Sequence, residues 1–172
     1  VVVVSNGRPA LLRRCLLGIN QLFFQNFEVV VVADSAAIAA IGDLPFSPQL
    51  KMKVFDEENI SRARNLAVGL AGGDVVAFID DDAVPEPTWL TQISSPFSDR
   101  DVCAVAGYVL GRNGISLQWG AETIGPDTSS KRLPIDGLES VLPKLPKHCA
   151  LKLQGTNFAV CRSILVELGG FD

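Results

Sequence analysis

The sequence predicts an α/β fold: a doubly wound, mainly parallel central sheet with flanking helices. Short, continuously apolar runs at residues 1–4, 27–33 and 75–79 have the pattern of strands covered on both faces. Segments with apolar residues at helical spacing separate these runs, and repeated strand-helix alternation favours parallel strands joined by right-handed crossovers. Two of the runs end in acids, Asp34 and Asp80-Asp81-Asp82, and the carboxyl edge of an open α/β sheet is where ligands bind.

Residues 1–4 form the first strand. Ser5-Asn6-Gly7-Arg8-Pro9 breaks it, and Pro9 suits the first turn of a helix carried by Leu11, Leu12, Cys15, Leu16 and Ile19. Residues 27–34 give the second strand, residues 36–41 a short helix, and residues 52–55 a short third strand after a Pro- and Gly-containing break. Ile60, Ala63, Ala67, Val68 and Leu70 define a helix over 59–71, opened by Asn59 or Ser61 and closed by Gly72-Gly73. The strand 75–79 follows, then a helix over 88–97 and a strand over 102–110. Eight Gly and Pro residues from Gly114 to Pro146 interrupt any regular element, so 111–150 is a loop-rich region and the place for a substrate-specific surface within a single domain. Residues 151–160 return as a strand, and a helix over 163–168 ends at Gly169-Gly170.

Three adjacent carboxylates repel one another unless something positive sits among them, and a hard divalent cation such as Mg²⁺ or Mn²⁺ is a common solution. Alternating side-chain direction lets Asp80 and Asp82 share one ion while Asp81 points away. The competing interpretation is a capping role, with Asp82 or a neighbour opening the helix through Trp89 and Leu90.

Three segments together resemble the family 2 glycosyltransferases, which have a nucleotide-sugar-binding, GT-A type fold. They are Val31-Val32-Ala33-Asp34, the span from Ile60-Ser61-Arg62-Ala63-Arg64-Asn65 through Asp82 to Trp89-Leu90, and Gly155-Thr156-Asn157-Phe158 on to Gly169-Gly170-Phe171-Asp172. The resemblance implies a sugar transferred with inversion from a nucleotide-diphosphate donor, with UDP as the expected nucleotide, to a hydroxyl on a carbohydrate, lipid or other acceptor. It implies that Asp34 accepts from the nucleobase, Asp81 lies near the ribose, Arg64 faces the nucleotide, and Asp80 and Asp82 hold Mn²⁺ or Mg²⁺ on the diphosphate. A cation there neutralises charge on the departing diphosphate. Two departures stand out. Relatives with T-Y-N-R-P after the first strand place an aromatic ring on the base, whereas Ser5-Asn6-Gly7-Arg8-Pro9 has none. The general base of inverting relatives falls in an E-D motif beyond the Asp172 position, so the chain is expected to be an excised part of a longer protein, with Glu167 a helix-surface charge and Asp172 part of a structural turn after Gly169-Gly170.

Other residues receive more modest expectations. His148 is a surface residue or a further metal ligand, Trp119 an acceptor contact, Trp89 a core residue, Arg62 a solvated one, and Gly155-Thr156-Asn157 either a donor-sugar contact or a turn. Four cysteines, Cys15, Cys103, Cys149 and Cys161, lack the spacing of a zinc site or disulfide framework and are expected to be core thiols.

With 172 residues, 48% hydrophobic and 20% charged, the chain is large and apolar enough for a sizeable core. A net charge of −4 without a basic cluster argues against a nucleic-acid partner. The apolar start is too short for a signal peptide or membrane span, so the expected location is the cytoplasm or the cytoplasmic face of a membrane, with anchoring left to segments outside this sequence. Two other classes remain as alternatives. A catalytically incomplete module would bind a nucleotide or a partner without turnover. A sugar nucleotidyltransferase shares strand-end acids, but Ser5-Asn6-Gly7-Arg8 is poor in the glycine its first loop needs. A dinucleotide-binding dehydrogenase is excluded by the missing G-x-G-x-x-G.

Overall fold

Consecutive valines leave the first strand no polar face, and β1 (Val2–Ser5) accordingly lies inside a sheet, between two other strands. The computed structural model describes residues 1–119, 122–124, 130–132, 150–151, 153 and 155–172. They fall into two compact units, residues 1–106 with 155–172, and residues 107–154.

The first unit continues through α1 (Pro9–Ile19), β2 (Glu28–Ala33), α2 (Ser35–Ala39), β3 (Gln49–Val54), α3 (Ile60–Leu70), β4 (Val75–Asp80), α4 (Trp89–Ser94) and β5 (Ala104–Ala106). The second unit contains a hairpin of β6 (Val109–Leu110) and β7 (Leu117–Trp119). It also contains an antiparallel sheet of β8 (Glu122–Ile124), β9 (Ser130–Arg132) and β10 (Ala150–Leu151), in the order β10-β8-β9. The chain re-enters the first unit as β11 (Asn157–Cys161) and α5 (Arg162–Glu167).

The main sheet runs β3-β2-β1-β4-β11-β5. β3, β2, β1 and β4 are mutually parallel, as the strand-helix alternation requires, and β11 is antiparallel to both β4 and β5. Alternation sends Val30 and Val32 to one face, with Ala63, Ala67 and Val68 of α3 and Leu165 of α5. Val29 and Val31 go to the other, with Leu12, Cys15, Leu16 and Ile19 of α1 and Ala37 of α2. Both faces are therefore dry, which is why these strands read as unbroken apolar runs.

Several boundaries differ from the expectation, among them that of the third strand, which is Gln49–Val54 rather than 52–55. The strand expected over 102–110 divides at Gly107-Tyr108 into β5 and β6, which belong to different units. The helix expected over 88–97 is α4 followed by one 3₁₀ turn at Ser95–Ser98. The returning strand of the main sheet starts only at Asn157, after a turn at 155–156. Among the cysteines, Cys15 is a buried core thiol, but Cys103 is exposed and Cys161 half-buried. Cys149 and His148 lie outside the described residues.

One tertiary clasp ties α3 to the last residues of the chain. The Asn65 side chain accepts from Phe171 N at 2.8 Å and donates to Phe171 O at 2.8 Å. Phe171 is thereby set edge-on to Phe78, at 5.4 Å between centroids, and Phe78 stacks on Phe158 at 4.5 Å. The turn into Phe171 needs φ of +86° at Gly170, and a Cβ there would also run into the Asn65 amide. Gly170→Ala is expected to lower unfolding free energy by about 1–3 kcal/mol, measured by urea denaturation; an unchanged midpoint would show that the clasp gives way at no cost.

Candidate functional site

Successive residues of an extended chain point to opposite sides, so three consecutive carboxylates cannot share one environment. At the end of β4 their exposures differ. The Asp81 side chain has 0% exposure, whereas Asp80 retains 35% and Asp82 53%. Asp81 Oδ2 accepts from Ser5 Oγ at 2.5 Å, across the β1–β4 boundary. Arg8 Nη2 lies 2.8 Å from Asp81 Oδ1, an ion pair without hydrogen-bond alignment, because Oδ1 has no hydrogen bond among the described residues. Burial pushes the Asp81 carboxyl above the ordinary carboxylate range, while the Ser5 hydroxyl and Arg8 pull it back.

Arg8 also reaches towards the next acid, with Nη1 3.6 Å from Asp82 Oδ2. The backbone beneath is pinned from α1: Arg14 Nη2 donates to Asp82 O at 2.8 Å, and the Cys15 thiol donates to Asp80 O at 3.5 Å. Burial, reinforced by the charges of Asp81, Asp80 and Asp82, pushes that thiol up to about 12, so Cys15 is an inert structural donor.

Asp80 faces the β11 side. Its Oδ2 accepts from Thr156 Oγ1 at 2.7 Å, and its Oδ1 stands 3.6 Å from Arg64 Nη2. Arg64, on α3, donates to Gly155 O at 3.2 Å and lies over the rings of Phe78, Phe158 and Phe171 at 5.6–5.9 Å. Burial pulls its guanidinium below the ordinary value and Asp80 opposes that shift. Gly155-Thr156 is thus a turn whose polar atoms hold Asp80 and Arg64 in place.

Asp34 caps α2. Its Oδ1 accepts from Ala37 N at 3.0 Å and its Oδ2 from Gly7 N at 2.6 Å, which joins the β1–α1 loop to the end of β2. These two N–H groups, Gly7 first, hold its carboxyl below the ordinary range. Beside this corner, Ser5 at the end of β1, Asn6 and Arg8 of the loop after it, and Phe55, Glu57 and Glu58 of the loop after β3 line a cleft of about 340 Å³, within the range of small-molecule sites.

Several residues expected to matter have plainer placements. Asp82 does not open a helix: α4 starts after Thr88, beyond Pro85 and Pro87. Arg62 is exposed and pairs with Glu57. Trp89 is half-buried against the core, its Nε1 donating to Asn157 Oδ1 at 2.8 Å. Glu167 and Asp172 are exposed. The side chain of Trp119 is outside the described residues. Sequence reasoning missed Ser5 and Arg8 as the partners of Asp81. A hydroxyl ending an all-valine strand, with a cation three residues on, was the available signal.

The sequence profile of glycosyl transferase family 2 matches residues 1–165. The chain belongs to glycosyl transferase family 2. Curated relatives agree with this family 2 membership. A "Putative glycosyltransferase EpsH" of Bacillus subtilis (strain 168) is 28% identical over 112 residues, covering 63% of this chain and 33% of the relative. The "Pre-mycofactocin glycosyltransferase" of Mycobacterium tuberculosis (strain ATCC 25618 / H37Rv) is 26% identical over 176 aligned positions, covering 100% of this chain and 35% of the relative. The chain therefore spans about a third of the length of these curated relatives.

Solved structures share the fold. The mannosyltransferase PcManGT from Pyrobaculum calidifontis, in complex with GDP-Man and Mn²⁺, superposes with a TM-score of 0.70 at 20% identity, over 99% of this chain and 46% of its own. S. aureus TarS 1-349 in complex with UDP gives 0.65 at 16%, over 98% and 48%. A CMP-2-keto-3-deoxy-manno-octonic acid synthetase complexed with CTP gives 0.58 at 15%, over 98% and 76%. The family 2 sheet is thus of the GT-A type, an architecture that nucleotidyltransferases share.

Two outcomes are expected at this corner. Asp34→Ala removes an N-cap and should lower stability by about 1 kcal/mol at neutral pH. Because the folded-state carboxyl is depressed, its contribution is present above the ordinary range, near pH 4, and is lost as pH falls through the lower folded value. The deficit of the variant should therefore shrink on acidification, as followed by denaturant midpoints across pH. Arg8→Met leaves a buried carboxylate without its counter-charge and should cost about 1–3 kcal/mol, by the same measurement; a neutral result would mean that Ser5 alone satisfies Asp81.

Proposed function

We propose that this family 2 chain is the donor-binding part of an inverting, metal-assisted glycosyltransferase that uses a nucleotide-diphosphate sugar, UDP being the preferred nucleotide. The observation carrying this is the division of the acidic triplet. Asp81 is buried against Ser5 and Arg8, while the side chains of Asp80 and Asp82 stay partly exposed at the carboxyl edge of the sheet, beside a nucleoside-sized cleft.

The donor set fits a hard divalent cation. Among the described residues no group of three His, Cys, Asp or Glu side chains is placed to hold a metal ion. Mg²⁺ and its like typically take one or two carboxylates together with substrate phosphates and water rather than a closed protein cage. Asp80 and Asp82 would hold Mn²⁺ or Mg²⁺, which when bound would neutralise the charge developing on the leaving diphosphate.

The chain's own residues have separate tasks in this reading. Asp34, already oriented by two N–H groups, offers its remaining lone pairs to the nucleobase. Asp81 supports the ribose end of the site from beneath, and Arg64 holds Asp80 in position while presenting positive charge to the nucleotide. Inversion requires the acceptor hydroxyl, on a carbohydrate, lipid or other acceptor, to approach opposite the leaving group and lose its proton to a base. No residue described here is assigned that role. The site of action is the cytoplasm or the cytoplasmic face of a membrane; among the described residues no helix is long and apolar enough to cross one.

Calorimetric titration with UDP, with and without Mn²⁺, tests the reading. Metal should strengthen UDP binding in the unmodified chain, and Asp82→Ala should abolish that increment without unfolding the protein. Equal binding with and without metal, or an unaffected Asp82→Ala variant, would remove the basis of the proposal. Metal-dependent binding without sugar transfer in the full-length protein would instead identify a nucleotide-binding module.

A further inference from the structure

Two cysteines of the first unit face each other at the edge of its sheet. β11 and β5 are antiparallel, with Phe158 opposite Ala106, Ala159 opposite Val105 and Val160 opposite Ala104. The next step of this register sets Cys161 opposite Cys103, and Cys161 N donates to Cys103 O at 2.9 Å. A hydrogen-bonded antiparallel pair holds its Cα atoms about 5.5 Å apart, inside the roughly 4.4–6.8 Å that a disulfide spans. Because side chains alternate, both thiols fall on the face that carries Ala159 and Val105.

Their surroundings divide the roles. Both thiols are free, and they interact directly with each other; Cys103 is exposed and Cys161 half-buried. Burial, then the neighbouring Cys103 and Asp74, hold the Cys161 thiol above its ordinary range, and its Sγ also lies 3.8 Å from Val102 O. Cys103 is therefore the first to react and Cys161 the resolving partner.

We propose that Cys103 and Cys161 are a reversible oxidation site, closing to a disulfide in the presence of a small-molecule disulfide such as glutathione disulfide. The Cys103 thiolate attacks one sulfur of the oxidant; a mixed disulfide forms, the oxidant's S–S bond breaks, and one thiolate departs and takes up a proton. Cys161 then loses its proton to solvent and attacks Cys103 Sγ, expelling the second thiolate. Two protein thiols are oxidised by two electrons and the oxidant is reduced to two thiols. The bond staples the three-residue edge strand β5 to β11 and closes the chain around residues 107–154. β11 directly follows Thr156, the residue that donates to Asp80, so the staple acts on the strand that supports the acidic site.

The test is mass spectrometry of the full chain after exposure to glutathione disulfide, with alkylation before digestion. A linked Cys103–Cys161 peptide is expected, with intact mass lower by two hydrogens, reversed by dithiothreitol and absent in Cys103→Ser and Cys161→Ser. The thermal midpoint should rise on oxidation of the unmodified chain and stay unchanged in Cys103→Ser. Separate alkylation or glutathionylation of the two cysteines, or linkage of either to Cys149, overturns the proposal.

Discussion

A carboxylate with no exposed surface organises this protein. Asp81 sits at the end of a strand buried on both faces, and a charge in that position has to be met by hydrogen bonds and an opposite charge. Ser5, at the end of the neighbouring strand, supplies the hydrogen bond, and Arg8, from the loop that follows, supplies the charge. Satisfying Asp81 fixes the register of β1 against β4 at the sheet's carboxyl edge. Asp80 turns instead to Thr156 and Arg64, and Asp82 stays half exposed within reach of the same Arg8.

The support for Asp80 comes from the far end of the sequence. Thr156 and Gly155, just before β11, engage Asp80 and Arg64, and Arg64 rests on three aromatic rings whose arrangement depends on the Asn65–Phe171 clasp. Those contacts explain why the Arg64-Asn65 pair and the Gly169-Gly170-Phe171 turn occur together. The helix carries both a guanidinium that reaches the acids and an amide that anchors the turn. The family 2 motifs are thus parts of one packed structure around the edge of β4.

Much of this was legible in the residues. The valine runs predicted buried parallel strands because a strand covered by helices on both faces has no polar side. Asn59 and Gly72-Gly73 bracketed α3 because caps and breakers act locally. The acids at Asp34 and Asp80 to Asp82 could be placed at the carboxyl edge of the sheet because connectivity alone puts strand ends there. The division of 102–110 was not visible, since Gly107-Tyr108 looks like a tolerable irregularity in an apolar run and only the two different pairings of β5 and β6 separate them. The capping role considered for Asp82 also failed. Pro85 and Pro87 delay the helix beyond its reach.

The sequence by itself determined the strand-helix order, the parallel sheet, the acidic edge and the family, because these depend on local periodicity, caps and short motifs. Tertiary structure alone decided which acid is buried, that Ser5 and Arg8 pair with Asp81, that Thr156 and Arg64 hold Asp80, and that Cys103 meets Cys161. Each of those contacts joins residues brought together by strand pairing or helix packing. Hydrogen bonds and ion pairs act over a few ångströms, so separation along the chain carries no trace of them until the sheet has formed.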